Sequence, residues 1–138
     1  MTKIDSGNAI LVTAIGLLLA QGVIHLIETP EMYGEVPYLG VLFGLTLAGA
    51  LVAAVGMARG ASWGWLLGLA TAGGPLLGYV LSRSIGIPGL RENNLASILE
   101  PLGLACVIAE VLFVVLAAWV LVGGKSQSRR LPAEAPAR

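Results

Sequence analysis

Charge is scarce in this 138-residue chain: Asp, Glu, Lys and Arg make up only 12% of it, about half of a soluble domain's usual share. Eight basic and eight acidic residues leave no net charge, so no basic surface is on offer to nucleic acid. The single cysteine, Cys106, excludes an intrachain disulfide and any C-x-x-C redox or zinc motif. Lying inside an apolar run, it reads as a small core residue. The single histidine, His25, excludes bis-His haem ligation by one chain. No internal repeat is visible, which argues against an inverted-repeat transporter. No paired nucleophile and base stand out, which argues against an enzyme.

What is abundant is apolar. The set AVILMFWYC makes up 57% of the chain, and 19 glycines add to it. Mean hydropathy is +0.87. A soluble fold of this size could not bury so much apolar surface, so the expected solvent is lipid. Four windows reach the roughly 20 residues that a helical span needs. They run over about 8–27, 37–58, 62–82 and 98–122, and their continuous rather than alternating character speaks against strands. The expectation is an all-α transmembrane four-helix bundle over residues 1–124, with 125–138 as a disordered cytoplasmic tail. The first run is read as a retained span, since Asp5 spoils a basic n-region and no A-x-A site follows.

The ends of the spans carry their own signals. Ser62 suits an N-cap and Pro37 a first helical turn. Ser97 and Glu100 have capping-box spacing, Pro101 makes Glu100 the competing cap, and Gly123-Gly124 should close the last helix. Lys3, Arg59, Lys125, Arg129, Arg130 and Arg138 fall on one side, against Arg83 and Arg91 on the other. The positive-inside rule then places both termini in the cytoplasm. Trp63, Trp65 and Trp119 would mark the inner interface, and Tyr33, Tyr38 and Tyr79 the outer one.

Three G-x-x-x-G pairs, Gly40/Gly44, Gly64/Gly68 and Gly74/Gly78, predict helix contacts, either within the bundle or at a homo-oligomer seam. Glu110 lies about 12 residues into its span, roughly 18 Å deep at 1.5 Å per residue. An ionisable group at that depth costs about 2.5 kcal/mol or more unless it is paired or faces a cavity. Gly103, Cys106 and Glu110 share a face, which should turn inward. Glu110 is expected to hydrogen-bond Thr, Gln or a carbonyl freed by a kink at Pro75. Gln21, His25 and Glu28 form a polar stripe on the first helix, and His25 with Glu28 is a weak candidate pair for a metal. Glu28, Glu31 and Glu35 are placed in an acidic outer loop, with Glu92 and Glu100 in the other. Arg83 could pair with Glu28, Glu100 or, less easily, Glu110. Thr46, Thr71 and Gln21 lie close enough in depth to Glu110 to suggest a small polar pocket in the outer half.

Several short stretches carry a likeness: His25-Leu26, Pro30-Glu31-x-Tyr33, Pro37-Tyr38-Leu39-Gly40, and Gly78 to Arg83 followed by Gly86-Ile87-Pro88-Gly89. Over roughly 22–116 the chain resembles a group of small uncharacterised four-span bacterial membrane proteins. The resemblance implies four helices in a bacterial plasma membrane and no particular activity. The function expected is that of a non-enzymatic accessory or structural subunit, possessing lipid and a homo-oligomer or larger membrane complex as partners. The alternatives are a small protein binding a metal, haem or quinone through the polar pocket, and a small transporter.

Overall fold

The computed structural model describes residues 6–90 and 100–128. Four α-helices follow in order: α1 Ser6–Glu35, α2 Pro37–Ala58, α3 Ser62–Ser84 and α4 Pro101–Ser128. Each is long and apolar enough to cross a membrane. Short connections make neighbours antiparallel: α1 packs on α2 and α4, and α3 packs on the same two, giving an up-down-up-down bundle.

The bundle is apolar on the outside. Val12, Leu45, Leu66, Leu77 and Val115 are more than half exposed, while Gln21, His25, Thr46, Ser82 and Glu110 are buried. That distribution suits a lipid solvent, in which only polar groups gain from facing inward. The chain is a multi-pass membrane protein.

Three of the helices run past their expected ends. α1 continues through Pro30 to Glu35, so Glu28, Glu31 and Glu35 stand on its last turns, not in a loop. Proline removes one N–H, a defect that helices in membranes tolerate. α4 starts at Pro101 and runs past Gly123-Gly124 to Ser128, so these glycines do not close it and residues 125–128 are helical rather than disordered. Ser97 and Glu92 lie outside the described residues, as do Arg91 and residues 129–138. Ser62 is not the cap of α3. Ala61 occupies that place with no side-chain cap bond, although Gly64 N–H reaches its carbonyl at 3.1 Å. α3 passes Pro75 and ends at Ser84, two residues later than expected.

The corners explain several glycines. Val36 alone joins α1 to α2; its N–H donates to Met32 O at 2.8 Å and its carbonyl accepts from Leu39 at 2.9 Å. So sharp a corner brings Gly40 against Tyr33, leaving no room for a Cβ. At the other end, Gly60 turns left-handed (φ 72°) and a Schellman close forms, with Ala61 N–H on Gly56 O at 3.0 Å and Gly60 N–H on Met57 O at 2.9 Å. Gly64 then lies against the backbone of Met57 and Gly56, and Gly68 against Phe113. At Gly40, Gly64 and Gly68 a Cβ would collide with a neighbouring helix. Gly44, Gly74 and Gly78 are not contact glycines: a Cβ there would meet nothing within 4 Å. Gly22, Gly49 and Gly56 make close contacts instead, against Leu47, Thr71 and Trp63 respectively.

Packing is uneven along the bundle. Near the chain termini, Ala14, Leu18, Ala50, Ala53, Met57, Ala72, Phe113 and Ala117 form one core. Trp65 stacks on Phe113 with ring centroids 6.5 Å apart, so it belongs to that core as much as to an interface. Toward the Val36 corner the helices part around a cavity.

Candidate functional site

The cavity has a volume of about 510 Å³, within the usual range for small-ligand sites. Exposed Glu31, Glu35 and Glu100 line it at the corner end, and buried His25, Cys106 and Glu110 line its deep end. Its apolar wall includes Leu42, Phe43, Pro75 and Val107. Gly74, Gly78 and Gly103 border it too, which accounts for the first two having no helix contact: the missing side chains leave space. Beyond the deep end the bundle is filled by Leu18, Ala72 and Phe113, so the cavity is blind.

Three buried side chains converge at that end. His25 Nε2 lies 2.9 Å from Glu110 Oε1. Cys106 Sγ donates to the same Glu110 oxygen at 3.6 Å and lies 3.6 Å from His25 Nε2. The same sulfur approaches the Gln21 carbonyl at 3.9 Å. Helix geometry dictates the arrangement. Cys106 and Glu110 are four apart on α4, hence on one face, and α1 packs on that face with His25 at matching depth. The imidazole is held edge-on to Phe43 of α2, with centroids 4.4 Å apart.

Some polar groups in this region have no hydrogen-bond partner among the described residues. Both side-chain atoms of fully buried Gln21 are unpaired, and so is His25 Nδ1. A buried polar group left in that condition costs about 1–3 kcal/mol. Gln21 does not border the cavity; it sits one turn from His25 on α1.

The candidates inferred from sequence divide accordingly. Glu110 points into the bundle as expected, but its partner is His25 on α1, not Thr, Gln or a carbonyl near Pro75. Arg83 borders the cavity, yet its guanidinium lies over the Tyr79 ring at 3.7 Å and Nη1 donates to Ser82 Oγ at 3.1 Å. The hydroxyls of Thr46 and Thr71 line the cavity while bonded within their own helices, to Leu42 O and to Leu67 O and Gly68 O. Glu28 is half-buried in the wall, and Glu100 lies at its rim. The cluster around His25 is completed by Cys106 and Glu110, not by Glu28. Cys106 is thus a site residue that its apolar surroundings concealed. The only hint of it in the sequence is the shared face with Glu110.

A second feature ties the sequence stretches together. Gly86 and Gly89 both adopt positive φ, 84° and 81°. Ile87-Pro88-Gly89-Leu90 forms a tight turn closed by Leu90 N–H on Ile87 O at 2.9 Å and Ile87 N–H on Leu90 O at 2.8 Å. Proline followed by a left-handed glycine has the signature of a type II turn. Tyr38 O–H donates to Pro88 O at 2.7 Å, fastening this turn to the start of α2. The Pro37-Tyr38 and Gly86–Gly89 stretches are therefore neighbours at the mouth, where Ile87 and Leu90 border the cavity.

No family model, curated protein or solved structure matches this chain.

Proposed function

We propose that this protein is a non-enzymatic accessory subunit of a bacterial plasma membrane that takes up a cation into the cavity. The Lys and Arg count supports a cytoplasmic side for both termini, and with it an outward-facing mouth. The observation that carries this reading is the distribution of charge along the cavity. Glu35, Glu31, Glu28 and Glu100 border the approach, and Glu110 with His25 waits at the blind end. A low-dielectric cleft lined with one sign of charge concentrates ions of the other. Arg83 is the one fixed cation in the described wall.

Two geometric points favour binding over other activities. A hydrolytic triad presents its nucleophile and its carboxylate to different imidazole nitrogens. Here Cys106 and Glu110 both approach Nε2. The packed core beneath the site also favours holding an ion over conducting one.

Thermal unfolding of the purified protein in micelles tests the reading with two ions of matched size and opposite charge. Tetraphenylphosphonium should stabilise the protein saturably, whereas tetraphenylborate should not. Combining Glu28→Gln with Glu31→Gln should weaken the effect. Equal responses to the two ions would show that charge plays no part.

A further inference from the structure

We propose that His25 Nε2, Cys106 Sγ and a Glu110 carboxylate oxygen form three corners of a tetrahedral site for a zinc-class divalent transition metal, with the fourth corner open to the cavity. The proposal rests on the cation-binding reading and names the class of cation. Its first support is metric. Zinc bonds of about 2.0–2.1 Å to nitrogen and oxygen and about 2.3 Å to sulfur imply tetrahedral edges near 3.3 Å for N to O. The same bond lengths put the edges from sulfur near 3.6 Å. The observed triangle has sides of 2.9, 3.6 and 3.6 Å. Both sulfur edges already match, and only the His25–Glu110 edge must open, by about 0.4 Å. One donor atom from each of the three residues lies within 4.8 Å of the other two.

The second support is chemical. An imidazole, a thiolate and one carboxylate make a borderline-soft set suited to zinc, cobalt or cadmium. Calcium and magnesium call for six or more oxygens. The third support is electrostatic. One thiolate and one carboxylate neutralise a divalent ion, so the loaded site carries no net charge into the low-dielectric interior. Loading is a balanced exchange. The Cys106 S–H bond breaks, a sulfur–metal bond forms, and that proton leaves by the cavity to the buffer, while the proton held between His25 Nε2 and Glu110 moves to Nδ1 and frees the Nε2 lone pair. His25 supplies a lone pair and Glu110 an anionic oxygen; no electron changes hands.

The fourth support is the route and the room. Glu35, Glu31, Glu28 and His25 follow at intervals of three or four residues along α1, about one turn each. They lead from the mouth to the site, and all border the same cavity. Three protein ligands and one open position are the arrangement of zinc sites that accept a further ligand. Beside the site, His25 Nδ1 and the Gln21 amide are buried without a partner among the described residues. A metal-bound imidazole holds its second N–H on such an acceptor, and Gln21 lies one turn away on the same helix.

Cobalt is the probe. Chelator-stripped protein in micelles, titrated with Co²⁺, should bind one equivalent and develop thiolate-to-cobalt charge-transfer absorption in the near ultraviolet. Cys106→Ser should lose that absorption, and His25→Ala should weaken binding more than tenfold. A measurement on the unaltered protein avoids any loss of fold. One equivalent of Zn²⁺ should slow modification of the lone thiol by methyl methanethiosulfonate at least tenfold. If Co²⁺ gives no such band and Zn²⁺ gives no protection while tetraphenylphosphonium still stabilises, the metal site is wrong and the cation-binding reading stands. If none of these ions binds, both fall. A band that persists in folded Cys106→Ser overturns sulfur ligation.

Discussion

His25 Nε2 and Glu110 Oε1 meet at 2.9 Å across 85 residues of sequence, joining the first helix to the last deep inside the bundle. Each side chain alone would be a costly polar intrusion into lipid. Together they answer one another, and they place Cys106 between them and the Gln21 carbonyl.

Removing one partner should cost more than softening it. Glu110→Gln keeps an oxygen acceptor for His25 and should lower stability by about 1 kcal/mol or less. Glu110→Leu leaves the imidazole unpaired and should cost about 2 kcal/mol. Unfolding in mixed micelles would rank the two. Equal losses would mean that the pair contributes nothing beyond its volume.

The glycines should separate sharply when enlarged. Gly64→Leu drives a side chain into the backbone of Met57 and Gly56, and Gly68→Leu drives one into Phe113. Each should cost about 1–3 kcal/mol or prevent folding, as overpacking does. Gly44→Leu meets nothing within 4 Å and should melt like the parent protein. Melting temperatures of the three variants check the contrast.

Tyr38→Phe removes the phenol that holds the 87–90 turn at Pro88 O. The bond is exposed, so global stability should fall by only about 0.5–1 kcal/mol. Amide exchange should rise at Ile87 and Leu90, the two residues whose backbone bonds close the turn. Unchanged exchange there would show that the turn stands without the tyrosine.

Topology is open to a direct reading. Reporters fused after Arg138 and inserted between Ile87 and Leu90 should lie on opposite sides of the membrane, with the first cytoplasmic. Two reporters on one side would contradict the single span, α4, that lies between them.

Composition and continuous apolar runs were enough to establish four membrane-length helices, and the limits of α2 could be read to the residue because Pro37 marks its start. The inward aspect of Glu110 was legible for a similar reason: helical spacing sets it beside Gly103 and Cys106, and charge cannot face hydrocarbon. Helix ends were less legible. Pro30 and Gly123-Gly124 read as helix ends, but a proline removes one N–H bond and a glycine costs only about 1 kcal/mol, so α1 and α4 run on to Glu35 and Ser128. Which glycines touch a neighbour could not be read either. G-x-x-x-G spacing gives a helix face but not what lies across it, and Gly74 and Gly78 turned out to border a void. The cluster of His25, Cys106 and Glu110 belonged wholly to tertiary structure. The sequence offered Glu28, three residues from His25, as the nearest carboxylate. Only the depth at which α1 docks on α4 decides that His25 meets Glu110 and Cys106 instead, because residues 85 apart share no helical period.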